Sequence, residues 1–152
     1  MSTIQKLTAD RTRQAAQDLI FATSRVPAER QTWQPLGDSR YVLDMIQECA
    51  HVNDRWAQML RRDEWYINTR EEVEAYNAAI LDMPSALQML KDSAERFAQA
   101  VEGLSDARLS DDFVTPWRTA KVGQWIFHAI WHMSYHEGQI QYIQTLYGDW
   151  EM

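Results

Sequence analysis

The most constraining feature of this chain is a run of helical periodicity over residues 121–146, closed by Gly148. In it Trp125, Ala129, His132, His136, Ile140, Ile143 and Tyr147 recur every three or four positions. As one continuous helix it would be about 39 Å long, so its apolar stripe needs partners of comparable length. Residues 3–24 supply one, with Ile4, Leu7, Ala15, Leu19 and Ala22 on the stripe. Pro27, Pro35 and Gly37 then break the pattern, Asp38 or Ser39 is a suitable N-cap, and a second helix runs to about residue 61. Its stripe is Val42, Met45, Ile46, Cys49, Val52, Trp56, Met59 and Leu60. A third begins at Pro84, carries Leu87, Leu90, Ala94, Phe97 and Val101, and ends near Gly103.

Residues 62–83 are mostly polar, with an acidic cluster at Glu71, Glu72 and Glu74 and a weak helical period through Val73, Tyr76 and Ile80. A structureless loop of that length is unusual in a compact domain, so a short helix is predicted there. Residues 105–120, with Pro116, read as a linker. The reading is all-α: a four-helix bundle with a long crossover between the second and third long helices, in a single domain over residues 1–152. Sparse Gly (5) and Pro (4) argue against a turn-rich sandwich or barrel, and 45% hydrophobic residues exclude disorder.

Fifteen Lys and Arg against 22 Asp and Glu give a net charge of -7, which repels a phosphate backbone and argues against nucleic-acid binding. The single cysteine, Cys49, cannot form an internal disulfide. The first residues lack the apolar run of a signal peptide, and no stretch is apolar enough to cross a bilayer. The expectation is a cytoplasmic protein with no membrane partner.

Three of the four histidines, His128, His132 and His136, sit at successive i, i+4 positions and line one slowly drifting face. His132 and His136 occupy stripe positions where a bundle helix normally puts Leu or Ile, so they point inward. Two buried imidazoles need either a hydrogen-bonded network or a metal taking one nitrogen from each, and such a pair suits Zn, Ni or Fe. His128 and His136 are about 12 Å apart along the axis, so all three cannot serve one ion. The remaining histidine, His51, falls off the centre of the second stripe: either that stripe is wider or His51 is a surface residue. Cys49 lies about 200° around the helix from His51, which makes it a small core residue that does not share the metal. The zinc-protease pattern HExxH is absent.

The segment from His128 through His132 and His136 to Gly138, Gln139 and Ile140 resembles the signature of the DinB-like (YfiT-related) superfamily. Residues 33–43, Ala50-His51-Val52 and Thr115-Pro116-Trp117 extend the likeness over nearly the whole chain. The resemblance implies a four-helix bundle that binds a divalent metal through His51, His132 and His136, and often a homodimer. Many relatives carry Arg where this chain has Glu137, which would put a negative charge near the site. Three neutral histidines leave a coordination position open, as in catalytic sites. The resemblance then implies a thiol-dependent S-transferase or isomerase using bacillithiol, mycothiol or glutathione with a small electrophile. The alternatives are a metal-dependent hydrolase and a non-catalytic dimeric stress-linked bundle. His128, Tyr135 and Glu48 are the candidate assisting groups. Gln139 either orients a ligand or faces solvent, and Trp56, Trp125 and Trp131 read as core and interface packing.

Overall fold

The computed structural model describes residues 3–65, 69–79 and 82–151. Its helices are α1 (Thr3–Ser24), α2 (Val42–Arg62), α3 (Arg70–Ala78), α4 (Met83–Glu102), α5 (Val122–Trp125) and α6 (His128–Thr145), with a hairpin of β1 (Asp112–Val114) and β2 (Thr119–Lys121) before α5. The main contacts join α1 and α2 each to α4 and α6, so the four long helices run around the bundle in the order α1, α4, α2, α6. Leu19, Ile46, Trp56, Met59, Leu90, Phe97, Met133 and Ile140 are fully buried between them. Each contributes roughly 1.5–3 kcal/mol of apolar transfer free energy, as an upper estimate.

The predicted short crossover helix is α3. Thr69 opens it with a capping box, its hydroxyl accepting from Glu72 N–H while the Glu72 carboxylate accepts from Thr69 N–H. Ile80, the last position of the expected period, lies outside the described residues. An ionic latch holds α3 to the bundle: Arg96 of α4 forks onto Asp54 of α2 (2.6 and 2.9 Å), and the Tyr76 hydroxyl donates to the same carboxylate (2.7 Å). Arg13 ties α1 to α4 in the same way through Glu95 (2.7 Å) and Glu102 (2.9 Å).

The structure corrects several sequence expectations. Helix α2 starts at Val42 behind Tyr41, not behind Asp38 or Ser39, because Ser39 closes its own turn: its hydroxyl accepts from Leu36 N–H and its N–H donates to Leu36 O. Ile4 and Leu7 are exposed, and Gln5, Thr8 and Thr12 are buried in their place. Gln5 uses its amide to cap the Leu104 carbonyl beyond α4 (2.9 Å), which a purely apolar count misses. The linker is not open coil but carries the hairpin. The long last helix is interrupted after Trp125: Ile126 and Phe127 keep α-region angles, with Phe127 relaxed to φ -89, ψ -4. Its first turn is pinned to the linker by Val122 N–H to Asp111 O (3.0 Å). A side chain at Gly123 would meet Leu109 O at 3.0 Å.

Candidate metal centre

The four-residue spacing on α6 makes His128, His132 and His136 neighbours, and the α2–α6 seam buries the last two. Their rings lie 4.7 Å apart between centroids, nearly perpendicular, whereas His128 stacks on His132 at 6.0 Å. The donor atoms of His132, His136 and Cys49 all lie within 4.8 Å of one another. Cys49 is thus not the bystander that the helical wheel implied. The wheel measured Cys49 against His51 alone, whereas Glu48 sits between them, about 60° from His51 and 100° from Cys49. The histidine pair faces Glu48, and Cys49 flanks it.

The Glu48 carboxylate lies 3.4 Å from His136 Nε2 and 3.8 Å from His132 Nε2. Arg40, just ahead of α2, grips it from the other side while also pairing with Asp44 (2.5 Å). The two histidines, with Arg40 assisting, hold the Glu48 carboxyl well below the usual carboxylate range, against the opposing effect of its burial. Burial pushes the Cys49 thiol well above its ordinary range, and the neighbouring Glu48 charge adds to this.

On its far side, His136 Nδ1 lies 2.7 Å from Gln139 Oε1, and the Gln139 amide donates to the Tyr135 hydroxyl (3.0 Å). With the Gln139 oxygen accepting, Nδ1 carries a proton and Nε2 is the nitrogen turned toward Glu48. Nε2 and a carboxylate oxygen that face each other at 3.4 Å are held together by a cation between them, a proton or a metal ion. The buried Nδ1 of His132 has no hydrogen-bond partner among the described residues. Two imidazoles, a thiol and a carboxylate converging in this way are a donor set that fits Zn well, since thiolate and imidazole are its usual ligands.

His51 is buried on α2, one turn beyond Glu48, with its ring edge-on to Tyr76 at 5.2 Å; it stands outside the group that converges within 4.8 Å. His128 packs on Trp56 (4.5 Å) and Trp131 (5.6 Å), and burial, followed by the neighbouring His132, holds its imidazole down to about 4. It is a neutral aromatic wall. Tyr135 is exposed, stacks on Trp131 and ends the chain of contacts from His136 through Gln139. Trp56 and Trp125 stack in the core at 4.8 Å, while Trp131 is exposed. Glu137 points elsewhere: it lines a groove with Asp18 and Phe21 of α1 and accepts from Gln141 (3.3 Å), so its charge is not directed at the histidine pair. Arg40 was missed from the sequence, although the Arg40, Asp44, Glu48 spacing of four marks a charged ridge.

The chain matches the family model of the DinB superfamily over residues 8–140, and it belongs to that superfamily. No curated protein matches it. No helix among the described residues is long and apolar enough to cross a membrane.

Proposed function

We propose that this protein is a metal-dependent enzyme whose ion is held at the α2–α6 seam by His132 and His136 with a third donor from α2. The reaction is a thiol-dependent S-transfer, of the bacillithiol, mycothiol or glutathione class, or a related isomerisation. The superfamily resemblance supplies His51 as the third donor, whereas the geometry favours Cys49. The carrying observation is His136 Nε2 set 3.4 Å from the Glu48 carboxylate, with Cys49 beside the histidine pair. When bound, a divalent ion there supplies Lewis acidity and favours the thiolate form of a thiol.

The chain's own groups have separable tasks. The two histidines, with Arg40 assisting, keep Glu48 ionised, so its carboxylate orients the histidine pair and balances the charge of an ion held there. Gln139 fixes the His136 tautomer. His128 and Trp131 wall the histidine pair with aromatic surface. An open position on such an ion would equally suit the activation of a water, and hydrolysis is the second reading. A second copy of the chain has a suitable face on α6 and its C-cap, where Trp131, Tyr135, Tyr142 and Leu146 are exposed.

The test is metal content by plasma mass spectrometry of untagged protein, followed by a screen of thiols with electrophiles. Near one ion per chain and thiol-dependent turnover are expected. No ion after reconstitution with Zn, Ni and Fe would reduce the site to a polar core network and favour the non-catalytic bundle. Metal binding with turnover of esters or amides and no thiol requirement would favour hydrolysis.

A further inference from the structure

A cavity of about 310 Å³ lies between α2 and α3, with Arg40, Glu48, His51 and Arg55 on one side and Val73 and Asn77 on the other. Through Glu48 it adjoins the candidate metal centre. Arg55 falls seven residues after Glu48, about 20° from it around the helix, so both share one face of α2.

Four other half-buried arginines, Arg13, Arg25, Arg96 and Arg108, each hold a carboxylate. Arg30, which like Arg55 lies over aromatic rings, is not among the residues that line this cavity. Arg55 has no hydrogen bond or ion pair among the described residues, its Nε is buried, and its guanidinium rests over the Trp65 ring at 5.8 Å. Anions are not scarce, for the chain has seven more acidic than basic residues. Of the nearby carboxylates, Asp54 is taken by Arg96 and Tyr76, and Glu48, whose charge reaches Arg55, is gripped by Arg40. Across the cavity Asn77 Oδ1 is likewise buried without a partner. An unpaired guanidinium of this kind is costly, and a ligand carboxylate supplies the missing bidentate partner.

We infer that Arg55 anchors the carboxylate of a small molecule that occupies this cavity beside the metal centre, with Asn77 meeting a polar group of the same ligand. The inference rests on the reading of that centre as an active site and narrows it: the thiol or its electrophilic acceptor carries a carboxylate directed at Arg55. The Trp65 ring lies under the guanidinium, and Arg40 is already committed to Asp44 and Glu48.

The experiment follows the Arg55 side-chain Nε–H resonance in metal-loaded, ¹⁵N-labelled protein during titration with succinate, with neutral succinamide and with glutathione. The resonance is assigned from its loss in Arg55→Lys. A shift with succinate or glutathione but not with succinamide is expected. An acceptor is indicated if succinate acts alone, and the thiol if glutathione does. Arg55→Gln should weaken binding at least tenfold and Arg55→Lys less, with metal content unchanged. Succinamide acting as well as succinate, an unmoved Arg55 resonance with both carboxylates, or full affinity in Arg55→Gln would overturn the proposal. The two readings fail separately. A protein that takes up no metal but whose Arg55 responds to succinate loses the metal reading and keeps the anchor. A metal-loaded protein whose Arg55 ignores both carboxylates loses the anchor alone.

Discussion

His136 and Glu48 face each other across the α2–α6 seam with Nε2 and Oε2 3.4 Å apart, and Gln139 holds the opposite nitrogen of the same ring at 2.7 Å. This places the proton on Nδ1 in the neutral ring. Nitrogen-15 shifts of His136 in metal-free protein above pH 8 should therefore show the Nδ1–H tautomer. An Nε2–H tautomer would mean that the Gln139 amide is reversed and that Glu48 merely accepts a hydrogen bond.

Ligand and supporting roles separate by substitution. His132→Ala and His136→Ala are each expected to abolish metal binding. His128→Ala should retain it, because His128 packs on Trp56 and stands outside the converging donors. Gln139→Ala should lower affinity by about 10- to 100-fold, the usual effect of removing a group that orients a ligating histidine. Equilibrium competition with a chromogenic chelator measures all four, and equal loss in the His128 variant would contradict the assignment.

The third donor is decided by comparing Cys49→Ser with His51→Ala. A buried thiol must lose its proton to ligate, so metal uptake through Cys49 releases a proton and gives cobalt-substituted protein a thiolate-to-metal charge-transfer band. The expected result is that Cys49→Ser removes the band and most of the affinity. A band-free cobalt spectrum, with affinity lost in His51→Ala alone, would restore the three-histidine set.

The long helices were legible in the sequence because their apolar positions recur every three or four residues, and α1 spans the predicted 3–24 even though its first turns bury Gln5, Thr8 and Thr12 in place of Ile4 and Leu7. The hairpin was not, since strands of three residues carry too little alternation to register. Nor was the interruption at Ile126 and Phe127, where the backbone stays in the α region and the apolar period passes through unbroken. In the site, the inward placement of His132 and His136 followed from their stripe positions. The nearness of Cys49 and Glu48 did not, because it depends on how α6 crosses α2, and a wheel drawn for one helix holds no information on its neighbour.

The latch on α3 should be separable from the core. Breaking the Asp54–Arg96 pair with Asp54→Ala leaves Arg96 without its carboxylate, and the loss of charge-assisted bonds costs about 1.5–3 kcal/mol. Tyr76→Phe removes one bond to the same carboxylate, a loss of about 1–2 kcal/mol. Amide exchange should accelerate in α3 before α2 or α4, since α3 has no fully buried residue. Uniform acceleration across the bundle would show that α3 unfolds only with the whole.

His128 should give the metal-free protein a distinctive acid sensitivity. Its imidazole titrates near 4 in the folded chain, because burial disfavours the charged form and His132 adds to this. In the unfolded chain it titrates near 6.5. Between these values the unfolded state binds more protons, so stability rises with pH through the window and is flat above it. The full shift is worth about 1.4 kcal/mol per pKa unit, which partial solvent contact reduces to about 1–2 kcal/mol in total. Urea denaturation at pH 4.5 and pH 7.5 measures the difference, and His128→Phe, which keeps an aromatic ring against Trp56, should remove most of it. The contribution of carboxylates such as Glu48 is complete above the usual carboxylate range and is lost as the pH falls through it. An unchanged slope between pH 5 and pH 6.5 in His128→Phe would therefore show that another group carries the dependence.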